Sequence, residues 1–167
     1  MTKGPLIALA ALAFATTATL RSASEYPKMG PDIYDVHADG EAQVAAAVSL
    51  AAGSNKVVLV EIGANWCIWC RRLHTVFETD PDVAKALKDG YVVVLIDVNR
   101  RNGENRNAGL NARLGNPSAN GIPDIVLLDS SGKPLMTKDT SELEDGDNYS
   151  IPKIKAFLAE WAPKAHP

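Results

Sequence analysis

The chain has 167 residues, 46% of them hydrophobic, with 17 basic against 20 acidic side chains and a net charge of −3. That length suits one domain with a core of its own, and the acidic excess argues against a nucleic-acid partner. Only two cysteines are present, too few for a disulfide framework, so the pair is free for chemistry.

The N-terminus reads as an export signal. Lys3 is followed by the apolar run Pro5–Ala15 and then by small residues through Ser24, the three parts of a signal peptide over residues 1–24. The run is short for a membrane span, which takes about 20 apolar residues; a core helix or an uncleaved anchor is the other reading. Cleavage after Ser24, with Ala18 as the alternative, removes Lys3 and Arg21 and takes the net charge from −3 to −5. The expected location is periplasmic or secreted. Residues 25–37 contain Pro27, Gly30 and Pro31 and read as an extended lead-in, pinned to the domain by Tyr26, Ile33 and Tyr34. The domain itself is expected over residues 38–163.

Asp39 can cap a helix from Gly40 to Ala52, with Val44, Ala47, Val48 and Ala51 as its apolar stripe. Val57–Ile62 is a run of β-branched residues and reads as a buried strand. Gly63-Ala64-Asn65 ends it, and Cys67-Ile68-Trp69-Cys70 follows at the start of a helix reaching Phe77 or Glu78. At a helix start the backbone N–H groups lack partners and the dipole is positive, so a Cys67 thiolate is favoured there. Cys70 lies one turn on, on the same face. The expected cycle has Cys67 attack a substrate disulfide and Cys70 resolve the mixed disulfide. Arg71 and Arg72 flank the pair and either favour the thiolate or form a solvated basic face.

Other readings of the pair stay open. A static disulfide would close a tiny loop and stabilise little. Copper or zinc would need Cys67, Cys70 and His74 together, fewer ligands than a structural zinc takes. Haem attachment needs histidine at position 71, which is arginine.

Glu61 is a carboxylate inside the apolar strand. Burial would raise its pKa and make it a proton-transfer group near neutrality; an edge position reaching solvent is the alternative. Pro81 starts a second helix, and Tyr91–Val98 reads as a strand covered on both faces. Asn99–Gly121 is rich in Asn, Arg and Gly, with a weakly patterned helix near Glu104–Leu114. It shapes a substrate groove or is solvated loop. Ile122-Pro123 leads into Ile125–Leu128, which forms a hairpin with Leu135–Thr137. Asp139–Asn148 reads as an acidic loop, and Pro152–Trp161 as the last helix. The order β-α-β-α-β-β-α gives a mixed central sheet with helices on both faces.

Trp66-Cys67-Ile68-Trp69-Cys70 after an apolar strand, with Gly121-Ile122-Pro123 before another, resembles the thioredoxin superfamily over residues 38–162. The leader adds a likeness to exported bacterial single-domain members. The resemblance implies an α/β thioredoxin-like fold and a protein disulfide oxidoreductase. It implies a cis bond at Pro123, with Ile122 and Pro123 facing the dithiol beside Trp66 and Trp69 as the substrate-binding edge. It places Glu61 where thioredoxins bury an aspartate, while their nearby lysine is replaced around Val93, and Asp124 stands where threonine is common. The only redox group implied is the Cys67–Cys70 disulfide, without metal or other cofactor. The implied partners are protein thiols and disulfides and a membrane-borne electron donor or acceptor, and a monomer is expected. Trp66, the Ile-Pro pair and the buried acid favour reduction over oxidation. A binding domain that keeps the fold without catalysis is the remaining class.

Overall fold

The computed structural model describes residues 24–119 and 121–163. The expected leader, residues 1–24, lies outside them except for Ser24. The element order is α1 (Gly40–Ser54), β1 (Val57–Gly63), α2 (Ile68–Thr79), α3 (Pro81–Gly90), β2 (Tyr91–Asp97), α4 (Ala108–Arg113), β3 (Asp124–Leu128), β4 (Pro134–Asp139), β5 (Glu144–Asp145), β6 (Asn148–Tyr149) and α5 (Ile151–Trp161). Four strands form one sheet in the order β2-β1-β3-β4, with β1 parallel to β2 and antiparallel to β3. This is the mixed α/β sheet expected from the sequence.

β1 is central and buried at every position. Side chains alternate along a strand, so Val58, Val60 and Ile62 point one way, onto α1 and α4. Val57 and Leu59 point the other way, onto α2, α3 and α5 through Leu73, Phe77, Val83, Leu87 and Phe157. Glu61 and Gly63 share that second face, beneath the start of α2. Local signals fix the helix ends. The Asp39 carboxylate accepts from the N–H groups of Glu41 and Ala42, and that of Asp80 accepts from Asp82 and Val83. Asp80 and Pro81 split α2 from α3 into two helices.

Three expectations change. β2 is not covered on both faces: it is an edge strand, and Val93 is 38% exposed. Val94 and Ile96 pack toward α1, whereas α2 and α3 lie over β1 and leave Val93 open. The helix after residue 104 is shorter than expected, because Asn107 takes a left-handed conformation (φ 49°) and α4 starts at Ala108. Residues 139–148 are not a plain loop. They carry a 3-10 turn, Thr140–Leu143, and all of the β5–β6 ladder but its last residue, Tyr149; Leu143 and Tyr149 are both buried in the core.

The lead-in is fastened at both ends. Asn65, wholly buried, accepts from the backbone N–H groups of Ile33 and Tyr34 at 2.9 Å and donates to the Tyr34 carbonyl at 3.0 Å. Arg71 donates to the carbonyls of Asn65 and Pro31, both at 2.8 Å. At the other end Arg106 pairs with Glu25 at 2.7 Å and with the buried Asp97 at 2.9 Å. Removing one partner of a buried pair leaves an uncompensated charge. Arg106→Ala is therefore expected to cost about 2–4 kcal/mol, read as a lower urea midpoint at unchanged slope.

Candidate active site

Cys67 is the residue that caps α2. Its backbone is extended (φ −82°, ψ 114°), and its Sγ accepts from the Cys70 N–H at 3.1 Å. The chain turns here because Gly63 and Ala64 end β1 and the Ala64 carbonyl accepts from the Cys67 N–H at 3.0 Å. The Cys67 thiol is 4% exposed and also reaches the Ile122 carbonyl at 3.4 Å. Hydrogen bonding from the Cys70 thiol holds the Cys67 pKa below the ordinary thiol value. Burial opposes that shift, and the N–H groups of Cys70 and Trp69 and the charge of Arg101 reinforce it. Cys70 is wholly buried. Burial, the neighbouring Cys67 and the charge of Glu61 push its pKa far up. One thiol is set to ionise and the other to stay protonated.

Beneath Cys70 lies Glu61, 0% exposed, with its pKa raised to about 8 chiefly by burial. The alternative of an edge position reaching solvent does not hold. Tyr34 of the lead-in donates to Glu61 Oε1 at 2.6 Å, and Oε2 has no protein partner among the described residues. Among the described residues no cation is paired with this acid: its neighbour in β2 is Leu95, and Val93 points to the surface.

The Ile122–Pro123 peptide is cis, and Ile122 sits beside Cys67. A groove of about 430 Å³ opens there, lined by Trp66, Cys67, Trp69, Arg100, Arg101 and Ile122. Trp66 is fixed by its indole N–H donating to Asn99 at 2.9 Å, and the Arg101 guanidinium stacks 3.4 Å over its ring. Trp69 packs edge-on against Tyr149 at 5.5 Å, with Arg72 stacked on it. Pro123 is buried behind the groove, its carbonyl accepting from the Thr140 hydroxyl. Asp124 follows it, buried opposite Asp139 across the β3–β4 ladder. Burial first, then the Asp139 charge, lifts its pKa to about 7.

The structure thus brings Cys67, Cys70, Glu61, Trp66, Trp69, Ile122 and Pro123 to one place. It does not bring His74 there. That side chain lines hollows on the outer side of α2 with Phe77, Glu78 and Thr75, and among the described residues no three His, Cys, Asp or Glu side chains are grouped to hold a metal. Of the basic residues, Arg71 holds the lead-in and Arg101 is the one whose charge reaches Cys67. Tyr34 and Asn65 were not legible as site residues, since nothing in their local pattern marks a contact across some 30 positions.

Comparison with known proteins agrees with this geometry. A family model described as thioredoxin-like matches residues 39–130. The crystal structure of a disulphide isomerase from Xylella fastidiosa Temecula1 superposes with a TM-score of 0.68 and is 32% identical, covering 77% of this chain and 95% of that one. The solution structure of a thioredoxin from Thermus thermophilus shares the fold at 20% identity and a TM-score of 0.51, covering 70% of this chain and 81% of its own. Thiol:disulfide interchange protein DsbD of Klebsiella pneumoniae is 25% identical over 113 residues, 68% of this chain and 17% of that protein. The chain therefore spans about one sixth of the length of that curated relative. With a family model matched over more than half its length, a thioredoxin-fold sheet and a C-x-x-C pair of thiol–disulfide oxidoreductase type, the chain belongs to the thioredoxin-like family.

Proposed function

We propose that the protein is a thiol–disulfide oxidoreductase that reduces protein disulfides in an oxidising compartment outside the cytoplasm. One observation carries the reading: the two thiols sit one turn apart at the start of α2, Cys67 accepting the Cys70 N–H and lining the groove while Cys70 is wholly buried behind it, an arrangement that favours the thiolate at Cys67 and the thiol at Cys70. The Cys67 thiolate attacks a substrate disulfide. A bond forms between Cys67 and one substrate sulfur, and the other leaves as a thiolate that takes up a proton. Cys70 then gives up its proton, with Glu61 as the acceptor, and attacks Cys67. The substrate's second sulfur is released, and the two electrons of the dithiol have passed to the substrate.

Trp66, Trp69, Ile122 and Pro123 form the edge on which an extended substrate segment lies. The dithiol is the only redox group the reading requires. A membrane-borne dithiol donor restores it, and the protein works as a monomer. Residues 1–24 serve as the export signal, 25–37 as the lead-in and 38–163 as the domain. The names of the isomerase and interchange relatives support a disulfide substrate. Trp66 and the Ile122–Pro123 pair favour the reducing direction.

The test is the equilibrium potential of the pair against glutathione. A value near the thioredoxin end, about −270 mV, supports a reductase; one near about −120 mV reverses the direction. Failure to equilibrate at all overturns the catalytic reading.

A further inference from the structure

The family model begins at residue 39, yet the buried acid's hydrogen-bond donor comes from before it. We infer that Tyr34, delivered by the lead-in strap, is the proton bridge between Cys70 and Glu61, so that residues outside the matched domain complete the dithiol's acid–base machinery. The inference rests on the reading of Glu61 as the proton acceptor for Cys70.

Three observations carry it. The Tyr34 ring is 2% exposed, and its hydroxyl donates to Glu61 Oε1 at 2.6 Å, a short bond of the kind made to a charged acceptor. The same hydroxyl lies beside the Cys70 sulfur over the bare Cα of Gly63. A Cβ built there would stand 2.8 Å from Cys70 Sγ, 2.5 Å from Tyr34 Cζ and closer still to the hydroxyl. The third is that the strap is built to hold this ring in place. Asn65, two residues before Cys67, grips the Tyr34 backbone on both its N–H and its carbonyl, and the Glu25–Arg106–Asp97 triad closes the strap's far end. A tyrosine held only for its apolar ring needs no carboxylate in a buried site, because desolvating both groups costs free energy.

In the resolving step Cys70 carries its proton and Glu61 is ionised. The thiol proton passes to the Tyr34 oxygen as the tyrosine's own proton passes to Glu61. The Cys70 thiolate then forms the bond to Cys67, the bond from Cys67 to the substrate breaks, and the substrate leaves as a thiolate. Tyr34 ends as it began, and Glu61 holds the proton.

The groups facing Glu61 are Tyr34 of the strap, Cys67 and Cys70 at the start of α2, and Tyr149 of β6. Burial dominates the Glu61 pKa, and the Tyr34 hydrogen bond pulls it down. Deleting the hydroxyl thus moves the Glu61 titration upward and, with it, the pH at which Cys70 can be deprotonated.

The experiment loads Cys67 of the full chain with thionitrobenzoate at low pH and follows release of the coloured thiol after a pH jump. In the wild type, release speeds up through a midpoint near 8, where Glu61 ionises. Glu61→Gln removes that midpoint. Tyr34→Phe shifts it up by about one pH unit, a loss of about tenfold in rate at neutral pH. A Tyr34→Phe midpoint equal to the wild type's, with Glu61→Gln still without one, overturns the bridge and leaves the Glu61 reading standing. A Glu61→Gln profile like the wild type's overturns both. If Tyr34→Phe does not fold, the proton inventory of wild-type release decides. A bowed dependence on the deuterium fraction means two protons in transit and supports the bridge; a straight line overturns it.

Discussion

Cys67→Ser is expected to cut disulfide exchange by roughly 10³-fold or more, the scale on which losing a nucleophile acts, while Cys70→Ser leaves the first attack intact and stops the second. The two variants separate because the site treats the two sulfurs differently. Cys67 caps α2, receives the Cys70 N–H and opens onto the groove. Cys70 is wholly buried against Tyr34 and Gly63 and does not line the groove. A serine at 70 still offers a side-chain hydroxyl in place of the thiol, and the same backbone N–H, to Cys67, so the thiolate survives, but no second sulfur follows. Cys70→Ser should therefore accumulate a covalent adduct on Cys67 with disulfide substrates, seen as a mass increase that dithiothreitol reverses. Cys67→Ser should show none. An adduct on Cys70 in the Cys67→Ser protein would reverse the assignment.

The second large effect belongs to a residue that reacts with nothing. Gly63→Ala should lower both stability and exchange rate. The added Cβ would stand 2.8 Å from Cys70 Sγ and 2.5 Å from Tyr34 Cζ, closer than carbon packs. Neither neighbour yields easily: Cys70 sits in the first turn of α2, and the Tyr34 backbone is held by Asn65. Overpacking of this kind costs about 1–3 kcal/mol, and the displaced hydroxyl and sulfur lose their alignment with Glu61. Gly53→Ala is the matching control. Gly53 lies in α1 with nothing within 4 Å of an added Cβ, and alanine there should stabilise by about 0.5–1 kcal/mol. Thermal melts of the two variants should move in opposite directions. Equal falls would mean that Gly63 matters only as strand backbone.

Much of this protein is written locally. The β-branched run at 57–62, the Asp39 and Asp80 caps, Pro81 and the dithiol spacing each act over a few residues, and each produced the element expected of it. The family resemblance placed Pro123 and its neighbour against the thiols. Expectations failed where coverage depends on distant elements. Tyr91–Val98 is apolar throughout, but whether both its faces are covered depends on how far α2 and α3 reach across the sheet, and Val93 is left open. Residues 139–148 look polar and loop-like because their one apolar residue, Leu143, is isolated, and Tyr149, which also enters the core, lies just beyond them.

The sequence by itself determined the fold class, the placing of the two thiols one turn apart at the start of a helix, and the buried acid, because a strand's period of two and a helix's first turn place those groups by short-range geometry. Only the tertiary structure decided what controls them. Tyr34 meets Glu61 across 27 positions, Arg101 rather than the adjacent Arg71 or Arg72 lends its charge to Cys67, and His74 faces away from both thiols. Such contacts depend on how the strap and the loop after β2 close over the sheet, and long-range closure leaves no periodic mark in the chain that makes it.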